Sequence, residues 1–102
     1  MASFKITVLK TMSNQELADE YCEPGAALPC PRFTEGQEFI VEYGRQPEGF
    51  CGWAWDDLHK TCHVLRQGGD FSGWSKDSHS LIRCCTDGIR PVVFEVKKIS
   101  DG

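Results

Sequence analysis

Long apolar runs are missing from this chain. No stretch approaches the about 18 consecutive apolar residues that a membrane-spanning helix needs. The opening segment, Met1-Ala2-Ser3-Phe4-Lys5-Ile6-Thr7-Val8-Leu9-Lys10, alternates like a strand and has no apolar signal-peptide core, so a cytoplasmic location is expected. A basic run or stripe is missing as well. With 11 lysines and arginines against 15 aspartates and glutamates, the net charge is −4. That argues against a nucleic-acid binder held by phosphate contacts and gives no reason to expect binding to an anionic membrane. No Cys-x-x-Cys pair occurs, so the strongest zinc signature is absent. No glutamate follows His59, which removes the metalloprotease form of a His-x-x-x-His helix. Internal repeats, linkers and low-complexity tracts are absent too.

What is present suits one ordinary domain covering residues 1–102. Hydrophobic residues make up 40% and charged residues 25%, and six Phe, three Trp and two Tyr can fill a modest core. Six cysteines, at positions 22, 30, 51, 62, 84 and 85, then need explaining. An even count suits disulfides in a secreted domain, but the missing signal core opposes that. Cys84 and Cys85 could bridge each other only through a strained ring. In a reducing cytosol the thiols stay free, bind metal or do redox work. Cys22 and Cys62 read as small apolar filler.

Periodicity predicts the elements. Phe4, Ile6 and Val8 share one face of a first strand. Ser13-Asn14-Gln15-Glu16 has the form of a capping box opening a short helix over 14–22, with Leu17, Ala18 and Tyr21 inward. A second strand is predicted over 37–43, with Phe39, Val41 and Tyr43 on one face and Ile40 on the other. The main helix is predicted over 53–67, where Trp55, Leu58, Cys62 and Leu65 form a core stripe and Gly68-Gly69 stops it. Strands over 80–85 and 92–99 follow, with Val92, Phe94 and Val96 inward. The expected architecture is α+β: a small, mainly antiparallel sheet packed against one main helix, plus a short N-terminal helix. A sheet this small leaves an edge that a homo-oligomer would cover.

The most informative stretch is Cys84-Cys85-Thr86-Asp87-Gly88-Ile89-Arg90-Pro91-Val92-Val93-Phe94. Asp87-Gly88 is a strong turn signal, since Gly tolerates φ > 0 and Asp can hydrogen-bond its own backbone. A two-residue hairpin there would pair Cys84 with Pro91, which has no N–H to give. A bulge or wider loop is therefore expected, placing Cys85, Asp87 and Arg90 on irregular backbone. Pro29-Cys30-Pro31 holds Cys30 extended, either as a loop anchor or presented to something. Cys51 precedes the main helix, where unpaired N–H groups and the helix dipole would favour its thiolate. Asp56, His59 and His63 share the outer helix face, where a metal or solvent could meet them. Phe71 and Trp74 form an aromatic pair in a loop, readable as a lid or as an anchor.

With these motifs placed, the chain resembles an uncharacterised family of small, cysteine-containing prokaryotic proteins of about this length. The resemblance runs nearly end to end. It rests on Lys5-Ile6-Thr7-Val8-Leu9, on Cys30-Pro31 with Glu35-Gly36-Gln37-Glu38-Phe39, on Pro47-Glu48-Gly49-Phe50-Cys51 with Ala54-Trp55, and on the 84–94 stretch. It implies a grouping of motifs and no mechanism.

Three functions fit these residues. The first is metal or metal-cluster binding through Cys30, Cys51, Cys84 and Cys85, whose thiolates suit zinc, copper(I) or an iron–sulfur centre. Adjacent cysteines on a strand point to opposite faces, so Cys84 and Cys85 could share an ion only on bulged backbone. The second is a thiol-dependent enzyme or redox accessory factor, with Cys51 as its reactive thiolate and Asp87 and Arg90 orienting a polar or anionic substrate. The third is a non-catalytic ligand- or protein-interaction module built on Trp53, Trp74, Asp87 and Arg90.

Overall fold

The computed structural model describes residues 2–25 and 28–101. In chain order the elements are β1 (Ser3–Thr11), α1 (Gln15–Tyr21), β2 (Glu38–Glu42), α2 (Gly52–Arg66), β3 (Ser80–Cys84) and β4 (Val92–Ser100). The strands form a single sheet in the order β2-β1-β4-β3, antiparallel at every step, so the chain is the small α+β domain expected. The longer helix, α2, packs against β3 and β4.

One sheet face carries the core, and alternation decides which side chains reach it. Phe4, Ile6 and Val8 of β1, Val41 of β2, and Val92, Phe94 and Val96 of β4 are all buried there. Against them lie Ala54, Leu58, Cys62 and Leu65 of α2. The predicted stripe is therefore correct from Leu58 onward, while Trp55 is only partly buried. Full burial of each large aliphatic or aromatic side chain in this set contributes about 1.5–3 kcal/mol.

Beside the sheet stands a second, aromatic part of the core. Phe33 and Phe50 come from loops, yet their ring centroids lie 5.1 Å apart. Both meet Phe94, at 5.1 Å and 5.8 Å, and both meet Phe39, at 5.9 Å and 4.9 Å. These mutual contacts pin the two long loops, before and after β2, onto β4. The first loop is also tied to β1: Val8 donates its N–H to Gln37 and accepts one from Gly36.

Four local expectations are corrected. Asn14, not Ser13, is the N-cap of α1, and no side chain caps that helix. Asn14 instead binds the 88–91 segment, its N–H meeting the Ile89 carbonyl at 2.8 Å and its side-chain amide the Gly88 carbonyl at 2.5 Å. With α1 tied down by its N-terminus, only Ala18 is buried; Leu17 and Tyr21 face solvent. Tyr43 is likewise exposed, because the chain has already turned there with φ +56°. Lastly, Gly88 does not take positive φ, so the turn at 87–88 is made by the Asp87 carboxylate.

The β3–β4 connection is the wider loop that Pro91 implies. Cys84 pairs with Val93 rather than with Pro91, leaving residues 85–91 to bridge the strands.

Candidate functional site

Three loops meet at one end of α2: the segment around Cys30, the residues just before α2, and the 85–91 connection. Between them lies a half-open pocket of about 680 Å³. Its walls include Cys30, Cys51, Cys85, Asp87, Arg90 and Trp53, six residues the sequence singled out from three separate stretches. Pockets of this size commonly take small molecules.

Each thiol reaches the pocket for a different local reason. Cys51 is the N-cap residue of α2, with extended backbone (φ −70°, ψ 123°), and its carbonyl accepts the first helical N–H from Trp55 at 2.9 Å. Its side chain makes no capping hydrogen bond, so the sulfur is not occupied by the helix amides. Cys30 is half-buried, lies between two prolines, and packs on the core three residues before the buried Phe33. Cys85 is the most enclosed of the three. Its N–H donates to the Val92 carbonyl at 3.1 Å, and its sulfur accepts the Val92 N–H at 3.4 Å, closing the base of the loop.

Asp87 organises the loop from within. One carboxylate oxygen accepts the N–H groups of Ile89 and Arg90, each at 2.9 Å, and the other faces Arg90 Nε at 3.2 Å. The backbone N–H of Arg90, more than any other partner, holds the Asp87 carboxyl below the usual carboxylate range. This Asx-type turn aims both charged side chains at the pocket wall.

A polar latch joins the loop to α2. Trp53 Nε1–H donates to Thr86 Oγ1 at 3.0 Å. The Thr86 N–H and hydroxyl in turn donate to Asp57 Oδ2 at 2.9 Å and 3.2 Å. Trp53 and Asp57 lie four apart on the helix and so face the same side. Replacing Thr86 with valine keeps the shape and the amide bond but removes both hydroxyl interactions. The expected loss is about 1 kcal/mol of stability, with a red shift of Trp53 emission as the indole loosens. An unchanged spectrum would show that the hydroxyl does not hold the indole.

Not every predicted residue arrives. Cys84 is exposed on β3 and Trp74 is 84% exposed in the 68–79 loop, and neither lines the pocket. Side-chain alternation explains Cys84, since adjacent strand residues face opposite ways. Of the aromatic pair in that loop, Phe71 packs on the core and Trp74 does not. Cys62 is core filler as expected, and burial pushes its thiol up to about 11. His59 lies against the Trp55 ring, with centroids 5.9 Å apart, and His63 Nδ1 meets Arg66 Nη2 at 3.0 Å. Among the described residues no three His, Cys, Asp or Glu side chains form a group able to hold a metal ion.

Sequence reasoning missed Arg32, Phe33, Ala54, Thr86 and Val92, all of which line the pocket, and Asp57 behind it. Arg32 is adjacent to the Cys30-Pro31 motif, but nothing in the spacing says which way it points. Comparison with family models, with curated proteins and with solved structures finds no match for this chain.

Proposed function

We propose that this protein binds a small ligand in the Cys30–Cys51–Cys85 pocket and acts on it through thiol chemistry, with Cys51 as the attacking or redox-active thiolate. One observation carries this reading: three cysteines from three separate loops line a single cavity of small-molecule size, beside a fixed Asp87–Arg90 pair. The blocks of sequence around 30, 51 and 85–90 thereby acquire one common purpose. A nucleophile needs access and partners that orient its target. Cys51 has both, because its sulfur is free of capping bonds and Trp53 and Ala54 form the wall next to it.

A panel of small disulfide fragments tests this under mildly reducing conditions, with peptide mapping of the adducts. Labelling at Cys51 is expected to depend strongly on fragment shape, whereas exposed Cys84 should label indiscriminately. The Cys84→Ser chain should keep the Cys51 pattern. Equal, shape-blind labelling at both positions would sink the proposal.

A second reading, a soft metal ion or cluster held by Cys30, Cys51 and Cys85, draws on the same gathering of thiols. It needs the Pro29-Cys30-Pro31 segment to close on the other two sulfurs, and Cys84 to stand aside. Elemental analysis of protein purified without oxygen or chelator decides it. Near-stoichiometric zinc, iron or copper that disappears in Cys30→Ser would favour the metal; metal-free protein with every pocket thiol titratable would retire it.

A further inference from the structure

The ionic groups around the pocket are unevenly committed. Two arginines and one aspartate line it, in a chain whose net charge is −4. Asp87 is fully engaged, accepting two backbone N–H groups and facing Arg90 Nε. Arg90 therefore spends part of its charge on Asp87. The Asp57 carboxylate on α2 accepts from Thr86 and does not line the pocket. Arg32 differs. It is exposed on the pocket rim, and among the described residues it has neither a hydrogen-bond nor an ion-pair partner. Its backbone sits between Pro31 and the buried Phe33. The aromatic and aliphatic walls, Phe33, Trp53 and Val92, leave room for an apolar body beneath it.

We infer that the pocket selects a small anionic molecule, a carboxylate or phosphate ester with a short apolar body, and that Arg32 is the residue recognising its charge. A guanidinium at the rim of a partly enclosed, low-polarity hollow attracts an anion more strongly than the same group on an open surface. Its planar donors match a carboxylate or phosphate in two-pronged fashion. This rests on the thiol-pocket reading above: the anionic end would dock at Arg32 while the reacting carbon or sulfur lies toward Cys51.

Two reagents of nearly equal size isolate the charge. Iodoacetate and iodoacetamide react alike: the Cys51 sulfur displaces iodide from carbon, an S–C bond forms, and the thiol proton passes to solvent. Only iodoacetate carries a negative charge. The rate ratio of iodoacetate to iodoacetamide at Cys51, divided by the same ratio at Cys84 in the same molecule, removes the intrinsic reactivity difference. The expected value in the wild-type chain is about 5, the size of a partly screened single-charge interaction. It should fall toward 1 in Arg32→Gln and on raising salt to about 1 M, where the Debye length is about 3 Å.

Each other result overturns a distinct statement. A quotient near 1 in the wild-type chain, with Cys51 still reactive, refutes anion selection and leaves the thiol reading intact. A raised quotient that survives Arg32→Gln removes Arg32 as the recognising residue. Failure of both reagents at Cys51 while Cys84 reacts defeats the thiol reading, and this inference with it. Because Arg32 is exposed, its substitution should leave the unfolding midpoint unchanged, which separates recognition from stability.

Discussion

Replacing Phe50 with alanine should cost about 3–5 kcal/mol of stability, the largest effect expected of any single truncation in the site region. Its ring is 3% exposed and touches Phe33, Phe39, Phe94 and Trp55, so no single neighbour can collapse into the space left behind. The loss should be more than thermodynamic. Phe50 is the residue before Cys51, and its contact with Phe33 is what brings the Cys30 segment beside α2. Truncation should therefore speed amide exchange in the residues around 30–37 while β1 and β4 stay protected. Denaturant unfolding and hydrogen exchange read the two effects separately. Should Phe50→Ala fail to fold, Phe50→Leu, which keeps most of the volume, should fold with a smaller loss and the same local pattern. A loss below about 1 kcal/mol for the alanine variant would mean that the loops are held by something other than this cluster. As a contrast, Trp53→Ala removes a ring that is 67% exposed and should disturb the latch with Thr86 more than the global stability.

Asp87→Asn is the second. The side chain keeps its size but loses its charge. With one amide oxygen left to accept the Ile89 and Arg90 N–H groups, its NH2 group must face Arg90 Nε, donor against donor. Loss of charge-assisted bonds to two backbone amides is worth about 2–3 kcal/mol in total. The half-exposed ion pair with Arg90 adds little by comparison, since such pairs contribute about 0–1 kcal/mol. The backbone bonds thus dominate, in agreement with the Arg90 N–H being the main cause of the lowered Asp87 carboxyl.

The pH dependence follows. A carboxyl whose folded-state pKa is depressed stabilises the fold above its unfolded pKa, about 3.9, and loses that contribution as pH falls through the folded value. The stability gap between the wild-type chain and Asp87→Asn should hence be flat above about pH 5 and shrink below about pH 4. Asp70, Asp77 and Asp101 are also held low, chiefly by the Ser72 N–H, the His79 N–H and the Lys98 side chain respectively. Only the difference between the two chains therefore isolates Asp87. A gap that stays constant down to about pH 2 would contradict the role given to this carboxylate.

Local patterns in the sequence determined much of this molecule. Alternation at Phe4, Ile6 and Val8, and again at Val92, Phe94 and Val96, identified the core faces of β1 and β4, because a strand's side chains must alternate wherever it runs. The spacing of Leu58, Cys62 and Leu65 identified the buried stripe of α2 for the same kind of reason. The missing N–H of Pro91 was enough to foresee the wide loop that carries Asp87 and Arg90. Tertiary structure decided what no local pattern encodes. Whether Leu17 and Tyr21 would be buried depended on how α1 is tethered, through Asn14, to a loop more than 70 residues away. Trp74 and Cys84 had the right chemistry, but one faces solvent and the other the far side of the sheet. Arg32 looked like any loop cation until the contact between Phe33 and Phe50 placed it on the rim. The meeting of Cys30, Cys51 and Cys85 required the strand order β2-β1-β4-β3 and that aromatic cluster together, and both are products of long-range packing.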